Sequence, residues 1–223
     1  MFIPLKDLNP TRTYPFVNIT LILTNIVVFI YELGLEATLS RKAFEAVLFS
    51  YSTVPARFPA FLGGHASFEV SFMPLLTSMF LHSGFLHLAG NMLFLWIFGD
   101  NVEDFFGHIP YLFFYVGCGV GAGLLHVLFN LHSNLPALGA SGAISGVMGA
   151  YILLYPGARV LTLVFIFPLP VPAVVFLGLW YVMQFLAGID ALGRGASGGV
   201  AWWAHIGGFL LGMLLTALAG RRR

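Results

Sequence analysis

The chain has 223 residues, 59% of them apolar and 9% charged, with ten Lys and Arg against nine Asp and Glu for a net charge of +1. So few charges cannot cover a globular surface, and repeated long apolar runs point instead to a polytopic membrane protein, one domain over residues 1–223. The near-neutral balance, without a clustered basic face, speaks against nucleic acid as a partner, and the single Cys118 forms no internal disulfide.

The first apolar stretch, about 16–31, follows Lys6 and Arg12 as a secretory signal would. Glu32 and Glu36 come next with no small-x-small cleavage pattern, so the stretch reads as an uncleaved first span. Residues from about 33 to 77 mix Arg41, Lys42, Glu45, Arg57 and Glu69 with short apolar clusters, the pattern of a long loop with interfacial amphipathic pieces. Five further spans are expected at about 81–100, 109–130, 141–155, 171–186 and 202–218. Turn chemistry separates them at Gly107, Asn134 with Pro136, Pro156-Gly157 and the glycine-rich stretch 193–199. Residues 160–167 are apolar but short and closed by Pro168, Pro170 and Pro172, which reads as an interfacial connector or an extension of the fifth helix. The fold class expected is all-α, a six-helix membrane bundle.

Six spans put both termini on one side. Placing them inside gives the cytoplasm Lys6, Arg12, Arg159, Arg221, Arg222 and Arg223, against Arg41, Lys42, Arg57 and Arg194 outside. Three of those four lie in the long loop, so both ends are expected to be cytoplasmic.

The fourth span carries Gly142, Gly146 and Ala150, and the sixth carries Ala204, Gly208 and Gly212, each a small-xxx-small face for close helix approach. Ser141, in Gly139-Ala140-Ser141-Gly142, and His205, in Ala204-His205-Ile206-Gly207-Gly208, adjoin these faces. A lone intramembrane histidine can simply donate to a carbonyl, yet an ionisable group at membrane depth is a functional candidate by default. In the second span His87 and Asn91 stand at i and i+4 on one helix face. That spacing fits paired hydrogen-bond donors, a metal site with His82, or an interhelical polar clamp.

Residues 141–155 make about 22 Å of helix against roughly 30 Å of hydrocarbon, so Ser141 starts below the outer surface if Pro156-Gly157 marks the inner boundary. His205 to Arg221 and His87 to Glu103 each cover about 24 Å, which sets all three side chains at a similar level. A helix start at that depth leaves N–H groups that lipid cannot satisfy, and implies a water-filled cavity. A serine hydroxyl is a poor nucleophile until a base takes its proton, and imidazole suits that task near pH 7. Backbone N–H groups at the helix N-terminus, with His87 and Asn91, offer donors to an oxyanion. Asp190 in the preceding loop is the one carboxylate near His205 in the chain, so a Ser-His dyad is expected rather than a triad.

On these residues the chain resembles the rhomboid family of intramembrane serine proteases. The Gly139–Gly142 motif, His87 with Asn91, the Ala204–Gly208 motif, the six-span order, the long first loop and residues 99–103 after the second helix all match. The resemblance implies Ser141 as nucleophile and His205 as general base and then acid. It implies His87, Asn91 and the Ser141 amide as oxyanion stabilisers, with Gly139, Gly142 and Gly208 in support and no metal or cofactor. It further implies cleavage of transmembrane protein substrates near the outer face of the lipid bilayer, often after a small residue, by an integral protein of a bacterial plasma (inner) membrane.

Two departures stand out. The first loop lacks the Trp-Arg pair of many relatives and reads Phe72-Met73-Pro74 in the comparable region, and Ser145 replaces the aromatic that often packs on the catalytic histidine. Ser145 shares a face with Ser141 and ranks second as nucleophile, being one turn inside the helix. Two other readings stay open: a catalytically inactive rhomboid-like scaffold that binds membrane clients, and a transporter or proton channel relaying through His82, His87, His126 and His205. The scaffold would typically lack the serine or histidine, and the relay would need acidic partners within the membrane. The oligomeric state and the substrate's identity are carried by none of these motifs.

Overall fold

The computed structural model describes residues 2–194 and 200–220; of the glycine-rich break expected at 193–199, Gly193 and Arg194 belong to a helix, while 195–199 and the arginines at 221–223 used in the charge argument lie outside the described residues. A strand, β1 (Phe2–Asp7), leads into helix α1 (Phe16–Thr38). Four short helices follow: α2 (Arg41–Tyr51), α3 (Arg57–Leu62), α4 (Phe68–Phe72) and α5 (Pro74–Thr77), then a 3-10 turn at Ser78–Phe80. The long helices α6 (Phe85–Phe106) and α7 (His108–Phe129) precede α8 (Ser141–Leu154), a hairpin of β2 (Arg159–Val164) and β3 (Phe167–Pro172), and helices α9 (Ala173–Arg194) and α10 (Trp202–Ala219).

The chain is a mostly helical, polytopic membrane protein. Among the described residues four helices, α1, α7, α9 and α10, are long and apolar enough to cross a membrane, or five if residues 68–80 and α6, which meet at a 78° bend, make one broken span. Helix α8 is shorter, and every residue from Gly142 to Tyr151 is buried. It is therefore the central helix, wrapped by α6, α7, α9 and α10.

Several boundaries move. The first helix continues through Glu32 to Thr38, and α6 begins at Phe85, so His82 precedes the helix that carries His87. The largest correction concerns residues 160–167, which are neither a plain connector nor helix. The β-branched run Arg159–Val164 pairs antiparallel with β1 on one side and β3 on the other, in the order β1-β2-β3. Pro168, Pro170 and Pro172 lie opposite Leu163, Leu161 and Arg159, at alternate positions of the outer strand. Their missing N–H groups thus fall along the free edge, where no partner strand needs them. The fifth helix accordingly starts at Ala173, after Val171 and Pro172 complete β3.

Helix ends are tied by carboxylates from elsewhere in the chain. Pro15 gives α1 no side-chain cap, and the fully buried Glu103 of α6 instead accepts from the Val17 and Asn18 N–H groups at 3.0 and 2.7 Å. A carboxylate at a helix N-terminus satisfies orphan donors and the helix dipole together. Glu103 Oε1 is also 2.5 Å from His108 Nδ1. Asn18 in turn donates to the Leu95 carbonyl and accepts from the Tyr111 hydroxyl, joining α1, α6 and α7 in one buried network. A Cβ at Gly99 would collide with Asn18, so a glycine is needed where this side chain crosses α6.

The α8 and α10 backbones touch. A Cβ on Gly208 would strike the Gly142 carbonyl, one on Gly212 the Gly146 carbonyl, and one on Gly149 the Phe209 carbonyl. The two glycine faces legible in the sequence therefore meet each other, as expected of small residues where lipid supplies no hydrophobic drive.

Candidate active site

Close contact of α8 with α10 brings Ser141 and His205 together. Ser141 is the first residue of α8 and His205 lies in the first turn of α10; Ser141 Oγ is 2.8 Å from His205 Nε2. Ala140 supplies no side-chain cap to α8, so the first-turn N–H groups lack the acceptor that a capping side chain would give. Ser145 is fully buried, and its hydroxyl donates to the Ser141 carbonyl at 2.6 Å.

His205 is held on its other side by a residue the sequence reading missed. Its Nδ1 is 2.7 Å from Gln184 Oε1 of α9, so the third group in line is a neutral amide, and not Asp190. Trp180, one turn before Gln184, places its ring 5.9 Å from the imidazole, and Trp202 stands edge-on at 6.2 Å. The aromatic absent at position 145 is thus replaced from α9 and α10. A lone glutamine in the apolar stretch 171–186 was the available signal.

His87 and Asn91 converge on Gly139. Gly139 has φ +122, a left-handed conformation, and a Cβ there would lie 2.8 Å from the His87 ring and 3.6 Å from Asn91 Nδ2. Glycine is required on both counts. The Ser83 hydroxyl is 3.0 Å from His87 Nδ1 and the Ser83 N–H approaches the same atom at 3.4 Å. With Nδ1 accepting, Nε2 carries the proton and faces Gly139. Asn91 Nδ2 is buried with no hydrogen-bond partner among the described residues. His82 is arranged differently: its backbone N–H approaches both carboxylate oxygens of the buried Glu32 at 3.3 Å, and its ring lies 5.2 Å from His87. Among the described residues no three His, Cys, Asp or Glu side chains cluster as a metal site. The His126 carbonyl accepts from the side-chain amide of Asn130, just past the end of its own helix.

The first loop reaches this site through main-chain bonds. Thr53 and Ala137 form an antiparallel bridge with N–H to carbonyl distances of 3.0 and 2.8 Å, and the Gly139 N–H donates to the Ser78 carbonyl at 2.8 Å. Thr53 Oγ1 and Ser78 Oγ share a hydrogen bond at 3.0 Å. Arg57 organises the loop. Its guanidinium donates to the carbonyls of Phe49 (2.9 Å) and Ser52 (3.2 Å), and it sits 4.7 Å from the Phe49 ring centroid. A cavity of about 40 Å³, lined in part by Thr53, Ser78, His126, Gly139 and Ser141, opens beside Ser141. That is room for a water molecule.

The fold and site together define a class: an integral membrane protein with a serine at the head of a buried helix, hydrogen-bonded to a histidine of the neighbouring helix. A Rhomboid domain model matches residues 69–222, and the chain belongs to the rhomboid family. It is 32% identical over 154 residues to "Rhomboid protein 1, mitochondrial" of Saccharomyces cerevisiae, covering 66% of this chain and 42% of that protein. It is 27% identical over 212 residues to "Rhomboid protease AarA" of Providencia stuartii, covering 89% of this chain and 70% of that protein. Over 78 residues it is 41% identical to "Rhomboid protease GluP" of Bacillus subtilis, covering 35% of this chain and 15% of that protein. The chain thus spans less than half the length of the yeast and Bacillus relatives.

Proposed function

We propose that this protein is a serine endopeptidase that cleaves transmembrane protein substrates within the bilayer, using Ser141 as nucleophile and His205 as base. The observation that carries the reading is the 2.8 Å contact between Ser141 Oγ and His205 Nε2 at an uncapped helix N-terminus. His205 Nε2 takes the hydroxyl proton as Ser141 Oγ bonds to the substrate carbonyl carbon. The oxyanion that forms is received by the Ser141 N–H, His87 Nε2–H and the unpartnered Asn91 amide, with Gly139, Gly142 and Gly208 allowing the close approaches. Collapse breaks the C–N bond and the departing amine takes the proton back from His205. Water from the side of the cavity then gives its proton to His205 and attacks the acyl-enzyme, and the second collapse returns the proton to Ser141.

The same reading includes six spans, α1, α6, α7, α8, α9 and α10, with α8 short because its N-terminal end stops at the site and not at the membrane surface. It places both termini in the cytoplasm, cleavage near the outer face, and the chain in a bacterial plasma membrane. Relatives named as mitochondrial make a mitochondrial membrane the second location to test.

The experiment is cleavage of a model transmembrane substrate in liposomes, with labelling by a fluorophosphonate probe. Ser141→Ala and His205→Ala are expected to abolish cleavage, and Ser141→Ala to abolish labelling. Removing one oxyanion donor by Asn91→Ala should lower kcat by about 10²- to 10³-fold. Full cleavage by Ser141→Ala would overturn the assignment. Binding of membrane clients without labelling would favour the scaffold reading.

A further inference from the structure

We propose that Gln184 is the positioning residue of the site: its side-chain carbonyl fixes which nitrogen of His205 carries the proton, so that the docking of α9 decides whether Ser141 has a base. The inference rests on the proteolytic reading above and extends it to a residue on a different helix.

A neutral imidazole has one donor nitrogen and one acceptor nitrogen. For Nε2 to take the Ser141 proton it must be bare, and Nδ1 must then carry the hydrogen and find an acceptor. Gln184 Oε1 is at 2.7 Å from Nδ1, and both side chains are buried, at 8% and 9% exposure, so water does not readily substitute. With the acceptor gone, the imidazole turns its hydrogen towards Ser141, where the serine oxygen can accept it, and Nε2 ceases to be a base. A glutamine does this without adding a charge. An Asp or Glu at the same depth would bring the desolvation cost of an ionised group.

The geometry of α9 fits that role. Trp180, Gln184 and Gly188 recur at four-residue spacing, which aligns them on one face of the helix. Trp180 packs beside the imidazole. A Cβ on Gly188 would lie 3.2 Å from Ile206 Cδ1 and 3.5 Å from Trp202 Cβ, so the glycine lets α9 approach α10 at the level of His205. Helix α9 is otherwise weakly held, with 28% of its span buried inside the protein, against 39% for α10. The contact that sets the base therefore comes from a peripheral helix.

The test uses the full-length protein with Gln184→Leu, which keeps bulk and removes the acceptor, and Gln184→Glu, which keeps the acceptor and adds charge. Nitrogen-15 shifts of the His205 ring, recorded with Ser141 in place and no substrate added, report the tautomer without any need for activity. Protonation at Nδ1 is expected there with the native Gln184 and with Gln184→Glu, and at Nε2, facing the Ser141 oxygen, with Gln184→Leu. In the Ser141 enzyme Gln184→Leu should lower kcat by about 10- to 100-fold, less than the roughly 10⁴-fold lost when an ionised orienting partner is replaced, with KM unchanged. Gln184→Glu should move the acid limb of the kcat profile to higher pH, because the carboxylate favours imidazolium. An unchanged tautomer in Gln184→Leu, or an unchanged pH profile in Gln184→Glu, overturns the proposal. Should Gln184→Leu fail to fold, the Gln184→Glu profile decides. If the unmutated protein neither cleaves nor labels at Ser141, the proteolytic reading fails, and the tautomer measurement still reports on Gln184 separately.

Discussion

Ser145 donates its hydroxyl to the main-chain carbonyl of Ser141 at 2.6 Å, while Ser141 Oγ turns to His205 Nε2 at 2.8 Å. Two serines one turn apart on the same helix thus have different partners. A hydroxyl bonded back to the i−4 carbonyl adds little to a helix that keeps its own ladder. Ser145→Ala is therefore expected to retain cleavage within a few-fold of the parent, whereas Ser141→Ala retains none. Loss of fluorophosphonate labelling in Ser145→Ala with folding intact would transfer the nucleophile's role one turn inward.

The α8–α10 contact should be intolerant of added atoms. A methyl on Gly208 or Gly212 meets a backbone carbonyl of α8, which cannot rotate away as a side chain can. Gly208→Ala and Gly212→Ala are expected to cost about 1–3 kcal/mol and to lower the detergent melting temperature. Gly178→Ala in α9, where a Cβ meets nothing within 4 Å, serves as control and should be neutral or slightly stabilising. Equal melting temperatures for all three variants would remove backbone contact as the reason for the glycines.

Asp7 links β1 to the C-terminal end of α8, accepting from the Tyr151 hydroxyl at 2.8 Å. Burial holds its carboxyl above the ordinary value of 3.8, against the lowering effect of the Tyr151 and Asn9 hydrogen bonds and the Lys6 charge. A carboxyl with a raised folded pKa binds more protons folded than unfolded. Stability consequently falls as pH rises from the unfolded value through the folded one, and the full penalty stands above it. Thermal unfolding from pH 3.5 upward should show this decline in the parent, and a flatter profile in Asp7→Asn. Parallel profiles would exclude Asp7 as its source.

Arg57 carries the first loop. Its guanidinium spans the carbonyls of Phe49 and Ser52, and Arg57→Ala leaves these without their donor. The variant should make residues 41–72 more open to limited proteolysis in detergent, at a cost of about 1–3 kcal/mol. Arg57→Lys should recover part of the protection, since a lysine offers a point charge without the planar fork. Unchanged digestion in Arg57→Ala would return support of the loop to the Phe58, Phe61, Phe68 and Phe72 ring cluster.

The central residues could be picked out before any coordinates because each breaks the rule of its surroundings. Ser141 and His205 are polar residues beside glycine faces in apolar runs, and His87 with Asn91 repeats at helical spacing. Gln184 broke the same rule and was passed over, because one glutamine in a span has no local pattern to mark it. The hairpin at 159–172 was misread for the opposite reason: its prolines are breakers of a helix and of a central strand, yet on an outer strand they lie where no bond is needed. Arg57 and Thr53 looked like loop residues, since their partners are backbone carbonyls and N–H groups brought near by folding.

Composition and periodicity alone determined that this is a polytopic membrane protein with small-residue helix faces, and led to the expectation that Ser141, His205 and His87 stand at a similar level. Those features follow from the bilayer, which forces apolar length and internal satisfaction of the backbone on any spanning chain. Only the tertiary structure decided which nitrogen of His205 faces Ser141, that Gln184 stands behind it, and that Gly139 must be glycine because two side chains of α6 close over it. Those are matters of tenths of an ångström between helices far apart in the chain, and spacing along a sequence carries no record of them.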